Sequence, residues 1–173
     1  MIRNVHERTV AAPAERVGAL LDRLGGPDDV VWPVPEWPPL VLDRALAVGA
    51  QGGHGIIRYR VALHDPGRLV GFAFDPASGL VGVHSFTVEP SGAGRTRVRH
   101  VMQARPVGAM RLLWPLAGRW LHDALTESFL DRVEYAVGLR PRPTERWSPW
   151  LRVLRRVSGN STARRGDRTR MAP

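Results

Sequence analysis

The sequence predicts an α+β domain in which a curved antiparallel sheet wraps around one long C-terminal helix. Three observations predict it. Between Leu40 and Ala104 short apolar runs alternate with period two and are separated by Gly, Pro and Asp turn signals. Between Pro106 and Val137 the period changes to that of a helix, with Trp114, Ala117, Leu121, Leu125, Phe129, Val133 and Ala136 in one stripe. A one-sided apolar sheet must be covered by another element, and this helix carries the matching face.

Taken in order, Arg3 to Val10 reads as a first strand, and Pro13 opens a helix at whose first position its missing N–H costs nothing. Val17, Leu20, Leu21 and Leu24 keep helical spacing until Gly25-Gly26-Pro27 stops it. Asp28 to Pro39, with two Trp and four Pro, is an ordered loop. Leu40 to Leu46 is a short strand, and Val48 to Gly55 a glycine-rich turn. In the strand Ile57 to His64, residues Ile57, Tyr59, Val61 and Leu63 share the inner face. Asp65-Pro66-Gly67 turns the chain into Leu69 to Phe74, whose Val70, Phe72 and Phe74 face inward. Leu80 to Glu89 and Arg95 to Ala104 form a hairpin around Pro90 to Gly94. Its inner face carries His84, Phe86 and Val88 opposite Val98, His100 and Met102. Pro115 kinks the long helix or starts its main segment, and Gly138 ends it.

The chain has 173 residues and a formal net charge of +9, carried without any Lys. Through Leu139 there are 15 Arg against 14 acidic residues; from Arg140 onward there are 10 Arg against two. The domain, residues 1–139, is thus nearly neutral, and the basic character belongs to the tail, residues 140–173. The high isoelectric point therefore says nothing for a nucleic-acid-binding domain, and no specific nucleic-acid partner is expected. Cysteine is absent, which excludes disulfides, thiolate catalysis and Cys-based metal sites. No apolar run approaches a membrane span, and the N-terminus lacks the apolar stretch of a signal peptide, so a cytoplasmic location is expected. In the tail, Trp147 to Val157 has the pattern of a short amphipathic helix, and Ser158 onward that of a disordered segment. Trp147, Trp150, Leu151 and Leu154 beside Arg152, Arg155 and Arg156 suit an anionic membrane surface, and the Arg cluster suits nonspecific contact with nucleic acid; a merely solvated tail is the favoured reading.

Thr9-Val10-Ala11-Ala12-Pro13-Ala14-Glu15-Arg16-Val17, Gly53-His54-Gly55-Ile56-Ile57-Arg58-Tyr59, Asp65-Pro66-Gly67-Arg68 and His122-Asp123-Ala124-Leu125 resemble segments of the START-like, or SRPBCC (polyketide cyclase/dehydrase-like), superfamily. The order of elements from Val5 to Gly138 carries most of that resemblance. It implies a helix-grip fold and an apolar cavity between sheet and helix. Family members hold lipids, sterols or polyketides there; some are cyclases or dehydratases and many only bind or carry. The fold does not choose between these.

The residues themselves point to a small hydrophobic partner. Ile57, Val61, Phe72, Phe74, Phe86, Met102, Leu121, Leu125 and Phe129 are the expected apolar wall, with Trp32 and Trp37 either closing its mouth or anchoring their loop. His84 and His100 are the candidate general acid and base for a cofactor-independent cyclase or dehydratase, and Tyr59 a candidate carbonyl donor. Each has a purely structural alternative, a buried ring bonded to backbone or water. His122 lies beside the apolar stripe. With His84 and His100 it would suit zinc, but no spacing requires this, so no metal or other cofactor is assigned. Asp123 and Glu127 are expected to cap or salt-bridge locally on the helix.

Overall fold

The computed structural model of the chain describes residues 1–140 and 148–156. Seven strands form one antiparallel sheet: β1 (Ile2–Val10), β2 (Val41–Leu42), β3 (Gln51–His54), β4 (Ile57–Asp65), β5 (Leu69–Phe74), β6 (Leu80–Pro90) and β7 (Thr96–Pro106). Their spatial order is β1-β7-β6-β5-β4-β3-β2. The sheet is curved and unclosed, and the long helix lies in its concavity. Helix α1 (Ala14–Leu21) follows β1, with Pro13 as its extended N-cap rather than its first helical residue. The long helix starts at Met110, later than its periodicity suggests, because β7 continues to Pro106. It comprises α2 (Met110–Leu113), a π-helical turn at Trp114–Gly118, and α3 (Arg119–Ala136). Pro115 sits in the wide turn, where Arg119 N–H reaches the Trp114 carbonyl five residues back.

Two strands differ from the sequence reading. The glycine-rich segment expected to turn contains β3, while the strand before it shrinks to the two residues of β2. Glycine is needed here for approach, not bending: a Cβ on Gly52 would lie 2.0 Å from the Val41 carbonyl oxygen. On β4 the register slips between Val61 and Leu63. This bulge turns Leu63 outward, to 58% exposure, and brings His64 in toward Asp22 at 3.6 Å. Alternation assumed an unbroken strand and so placed Leu63 inside.

The main core joins Val17, Leu21 and Leu24 of α1 and its C-terminal turn to Val61, Phe72, Phe86 and Val98 of the sheet and to Leu125, Phe129 and Val133 of α3. A smaller apolar cluster of Leu80, Met102 and Ala104 lies under Met110 and Trp114 at the other end. Helix α1 crosses the β4–β5 turn so closely that a Cβ on Gly18 would lie 2.2 Å from the Gly67 carbonyl oxygen. Of the expected tail helix, residues 149–156 are helical (α4), while Trp147 and everything from Val157 onward lie outside the described residues. Leu151 of α4 is buried in the main core. Trp150 Nε1 donates to the Leu116 carbonyl at 3.1 Å, and the Arg155 guanidinium lies 5.0 Å from the Trp37 ring.

Candidate functional site

Period-two alternation puts His84, Phe86 and Val88 of β6 and Val98, His100 and Met102 of β7 on the inner face, as expected. His84 lies opposite Met102 and His100 opposite Phe86, so the two imidazoles are diagonal neighbours. His84 Nδ1 and His100 Nε2 are 3.3 Å apart and share a hydrogen bond. His84 stacks on Phe72 at 5.0 Å and on Phe74 at 4.8 Å, and Phe86 contacts both His100 and Phe129. Burial therefore holds both rings neutral, their pKa values well below the ordinary histidine value, with nearby His122 adding to the effect. His84 Nε2 and His100 Nδ1 are buried and have no hydrogen-bond partner.

Tyr59 of β4 is buried against Phe72 and His84. Its hydroxyl lies 3.0 Å from His54 Nδ1 and shares a hydrogen bond with it. His54 comes from β3, the segment read from sequence as a turn, and so was missed. Burial lowers its pKa to about 3 and raises that of Tyr59. The His54 ring also meets Trp32 at 5.0 Å. At the other end His122 of α3 lies 5.1 Å from the His100 ring and 5.7 Å from Trp114. The rings thus run as a polar seam from Trp32 through His54, Tyr59, His84 and His100 to His122. One apolar cluster lies on each side.

The seam ends in a group that sequence reasoning did not assemble. The inner face of β1 is polar, with Asn4, His6 and Arg8 at alternate positions, and His6 lies opposite His100. Across from it α3 presents Asp123, Glu127, Asp131 and Glu134. His6 Nδ1 is 2.6 Å from Glu127 Oε1, and His6 Nε2 is 3.2 Å from Asp123 Oδ1. Those hydrogen bonds, Asp123's first, hold His6 protonated with a pKa of about 9. Arg8 Nη2 donates to Glu127 at 2.7 Å, while Nη1 donates to Asp131 and, at 2.9 Å, to Glu134. Asn4 Nδ2 donates to Asp123 Oδ1 at 2.7 Å. Asp123 keeps the expected local pair, with Arg119 at 3.6 Å, but it and Glu127 also pair across more than a hundred residues, because this flank of α3 faces a strand. The signal was present as alternating Asn4, His6 and Arg8 and as acids spaced by four, four and three.

The other expected wall residues divide. Val61, Phe72, Phe86, Leu125 and Phe129 are buried in the main core, with Ile57, Phe74 and Leu121 partly buried against it. Met102 belongs to the smaller cluster. Trp32 and Trp37 are both buried and anchored: Trp32 Nε1 donates to the Pro38 carbonyl at 2.9 Å, and Trp37 Nε1 to Ser128 Oγ at 3.2 Å. Asp29 holds the loop by accepting from the backbone N–H groups of Gly25, Val31 and Trp32. Between sheet and helix, where the hollow was expected, the His84, Phe72, Phe74, Phe86, His100 and Phe129 rings stand in contact with one another. A groove of about 420 Å³ lies on the outer face of β3, β4 and β5, where Gln51, Arg60 and Ala73 stand in one row beside Arg58 and Asp75. A second, of about 940 Å³, lies beside it against Trp37, Pro38 and Val41.

Among the described residues no helix is long and apolar enough to cross a membrane. The chain matches the family model "Polyketide cyclase / dehydrase and lipid transport" over residues 1–138. No curated protein matches it. Among solved structures it is similar to norcoclaurine synthase from Thalictrum flavum in complex with dopamine and hydroxybenzaldehyde. That match has 14% identity and a TM-score of 0.59, covering 79% of this chain and 87% of the enzyme. A solution structure from Thermobifida fusca matches with 16% identity and a TM-score of 0.57, over 82% of this chain and 99% of its own. CalU16 from Micromonospora echinospora matches with 15% identity and a TM-score of 0.52, over 93% and 86%. At these identities the structures establish the fold alone, while the family match extends across the whole sheet and the long helix: the chain belongs to the polyketide cyclase/dehydrase and lipid-transport family.

Proposed function

We propose that this protein binds a small hydrophobic molecule carrying at least one hydroxyl or carbonyl group, seated against the histidine seam. The observation that carries the reading is the pair of partnerless nitrogens, His84 Nε2 and His100 Nδ1. Two neutral imidazoles joined by one hydrogen bond leave one N–H donor and one lone-pair acceptor at their free ends, whichever way the shared proton points. Buried polar atoms without partners cost about 1–3 kcal/mol each, so a ligand offering the complementary pair gains affinity by satisfying them. Aromatic walls suit a planar, polyketide-like or lipid-like body. Because the rings now touch one another, binding requires the Phe74–His84 stack to separate.

The same pair supports acid–base chemistry. One end would take a proton from the ligand while the other returned one, the shared hydrogen bond reversing between them without net charge on the buried rings. A cyclisation or dehydration of a hydroxy-carbonyl compound would use this.

The test is titration of the purified chain with a dihydroxyanthraquinone, with unsubstituted anthracene as the control. Binding is followed by tryptophan fluorescence and imidazole nitrogen NMR. The hydroxylated probe is expected to bind more tightly and to shift the His84 and His100 resonances. Equal affinity for both probes, or binding that leaves those two rings unmoved, overturns the reading.

A second reading, docking on an anionic membrane, is favoured by a separate observation. Leu112, Leu113, Leu116, Trp120 and Trp150 are all at least 47% exposed, with Arg111 and Arg119 on the same helical segment. Leu151 of α4 faces the domain, so this surface combines the π-turn region with Trp150 rather than using the tail helix alone. Co-sedimentation with phosphatidylserine vesicles, expected for the intact chain and lost in a Leu116→Ser/Trp120→Ser variant, tests it. Equal partition of both proteins onto neutral and anionic vesicles removes it.

A further inference from the structure

We propose that His6, His122 and Asp123 form a binding site for one divalent cation of the zinc type. The three side chains offer His6 Nε2, His122 Nδ1 and Asp123 Oδ1, all within 4.8 Å of one another. Asp123 Oδ1 is 3.2 Å from His6 Nε2 and 3.7 Å from His122 Nδ1. A tetrahedral ion with bonds of about 2.0–2.1 Å holds its ligand atoms roughly 3.4 Å apart, so both separations are close to those of a formed site. Two imidazoles and one carboxylate select a borderline transition metal over magnesium or calcium, which prefer oxygen alone.

The surroundings have the organisation a metal site needs. His6 Nδ1 is turned to Glu127 Oε1 at 2.6 Å, so a carboxylate fixes the ring with Nε2 toward the cluster. Glu127 is in turn held by Arg8 at 2.7 Å, and Asn4 steadies Asp123 at 2.7 Å. Asp123, Glu127, Asp131 and Glu134 stand against the guanidinium groups of Arg8 and Arg119 and against His6, whose proton a metal ion would replace. A divalent cation is therefore welcome.

A proton on His6 alone does not account for the arrangement. It satisfies His6, Asp123 and Glu127, but His122 Nδ1 stays buried beside Asp123, beyond hydrogen-bond reach and without a partner. A metal ion in place of that proton gives all three groups a bond. Three protein ligands leave a fourth position for water or a ligand oxygen. The His122 ring is 5.1 Å from His100, so that position adjoins the seam. The site stands on its own geometry and does not depend on the identity of the hydrophobic ligand.

The experiment uses the untagged full chain, stripped with a chelator and titrated with Zn²⁺ and separately with Co²⁺ by calorimetry. Long-range proton–nitrogen NMR of the six imidazoles identifies the ligands. Saturation at one equivalent is expected, with metal-induced shifts at His6 Nε2 and His122 Nδ1 and cobalt absorption of a low-symmetry, four-coordinate ion. Glu127→Gln should weaken binding about 10–100-fold, and His122→Phe should weaken it at least as much. Absence of saturable binding, or shifts confined to other histidines, overturns the proposal. So does wild-type affinity in a His122→Phe protein whose circular dichroism shows it folded. Should that variant not fold, the NMR assignment on the unaltered chain decides alone.

Discussion

The protein should lose stability steeply on mild acidification, and the buried histidines set the size of the loss. His54, His84 and His100 each have a folded-state pKa below the ordinary 6.5, burial being the first cause in every case. The unfolded chain takes up a proton at each of them as pH falls below 6.5, while the folded chain does not. The unfolded state then binds more protons, so stability is full above pH 6.5 and is lost as pH falls toward the folded-state values. Each ring contributes a limiting slope of about 1.4 kcal/mol per pH unit, or roughly 2 kcal/mol between about pH 7 and pH 5. Three rings together remove roughly 6 kcal/mol over that window, comparable to the whole stability of many domains. His6 has the opposite sign, but over the same window its change is only about 1 kcal/mol. The assay is urea unfolding at the two pH values in chelator-treated buffer, read by tryptophan fluorescence. A His84→Phe protein, whose new ring keeps the stack on Phe72 and Phe74, should show about one third less loss. Equal stability at the two pH values, or an unchanged loss in His84→Phe, refutes the assignment of these rings as buried and neutral.

On the alkaline side His6 governs: its pKa is raised to about 9, so its contribution is full below pH 6.5 and is lost as pH rises through 9. Metal-free protein should therefore unfold at lower urea concentration at about pH 9.5 than at pH 7, and His6→Gln should flatten that limb. Gly18→Ala should destabilise by about 1–3 kcal/mol or prevent folding, since its Cβ would meet the Gly67 carbonyl oxygen; thermal unfolding by circular dichroism checks it. Leu151→Ala should cost about 2–4 kcal/mol in the same measurement if α4 is part of the folded unit, and almost nothing if the helix merely rests on the surface.

The helix stripe and the hairpin were legible because their patterns are long and single-valued. Leu125, Phe129 and Val133 fall on one helical face, and His84 and His100 fall inside by strict alternation. Leu63 was misplaced because a bulge shifts a period-two pattern without leaving a mark in composition. The strand at Gln51–His54 was hidden because glycine signals both a turn and a close strand approach, and only the partner carbonyl distinguishes them. His54 was lost with it. The His6–Asp123–Glu127 group joins residues 117 and 121 positions apart, so the two local patterns that carry it, one on β1 and one on α3, do not say that they meet. The ring contacts were equally out of reach: alternation tells which side a ring faces and not whether rings from opposite walls touch.

The placement of β1 has a consequence for synthesis on the ribosome. This strand leaves the exit tunnel before the rest of the sheet, yet its register partner is β7, and its Asn4, His6 and Arg8 hydrogen-bond to acids of α3. At about 5–20 residues per second, roughly 120 further residues keep β1 waiting for α3 for roughly 6–25 s. A slow stretch of codons anywhere between β1 and α3 would lengthen that wait.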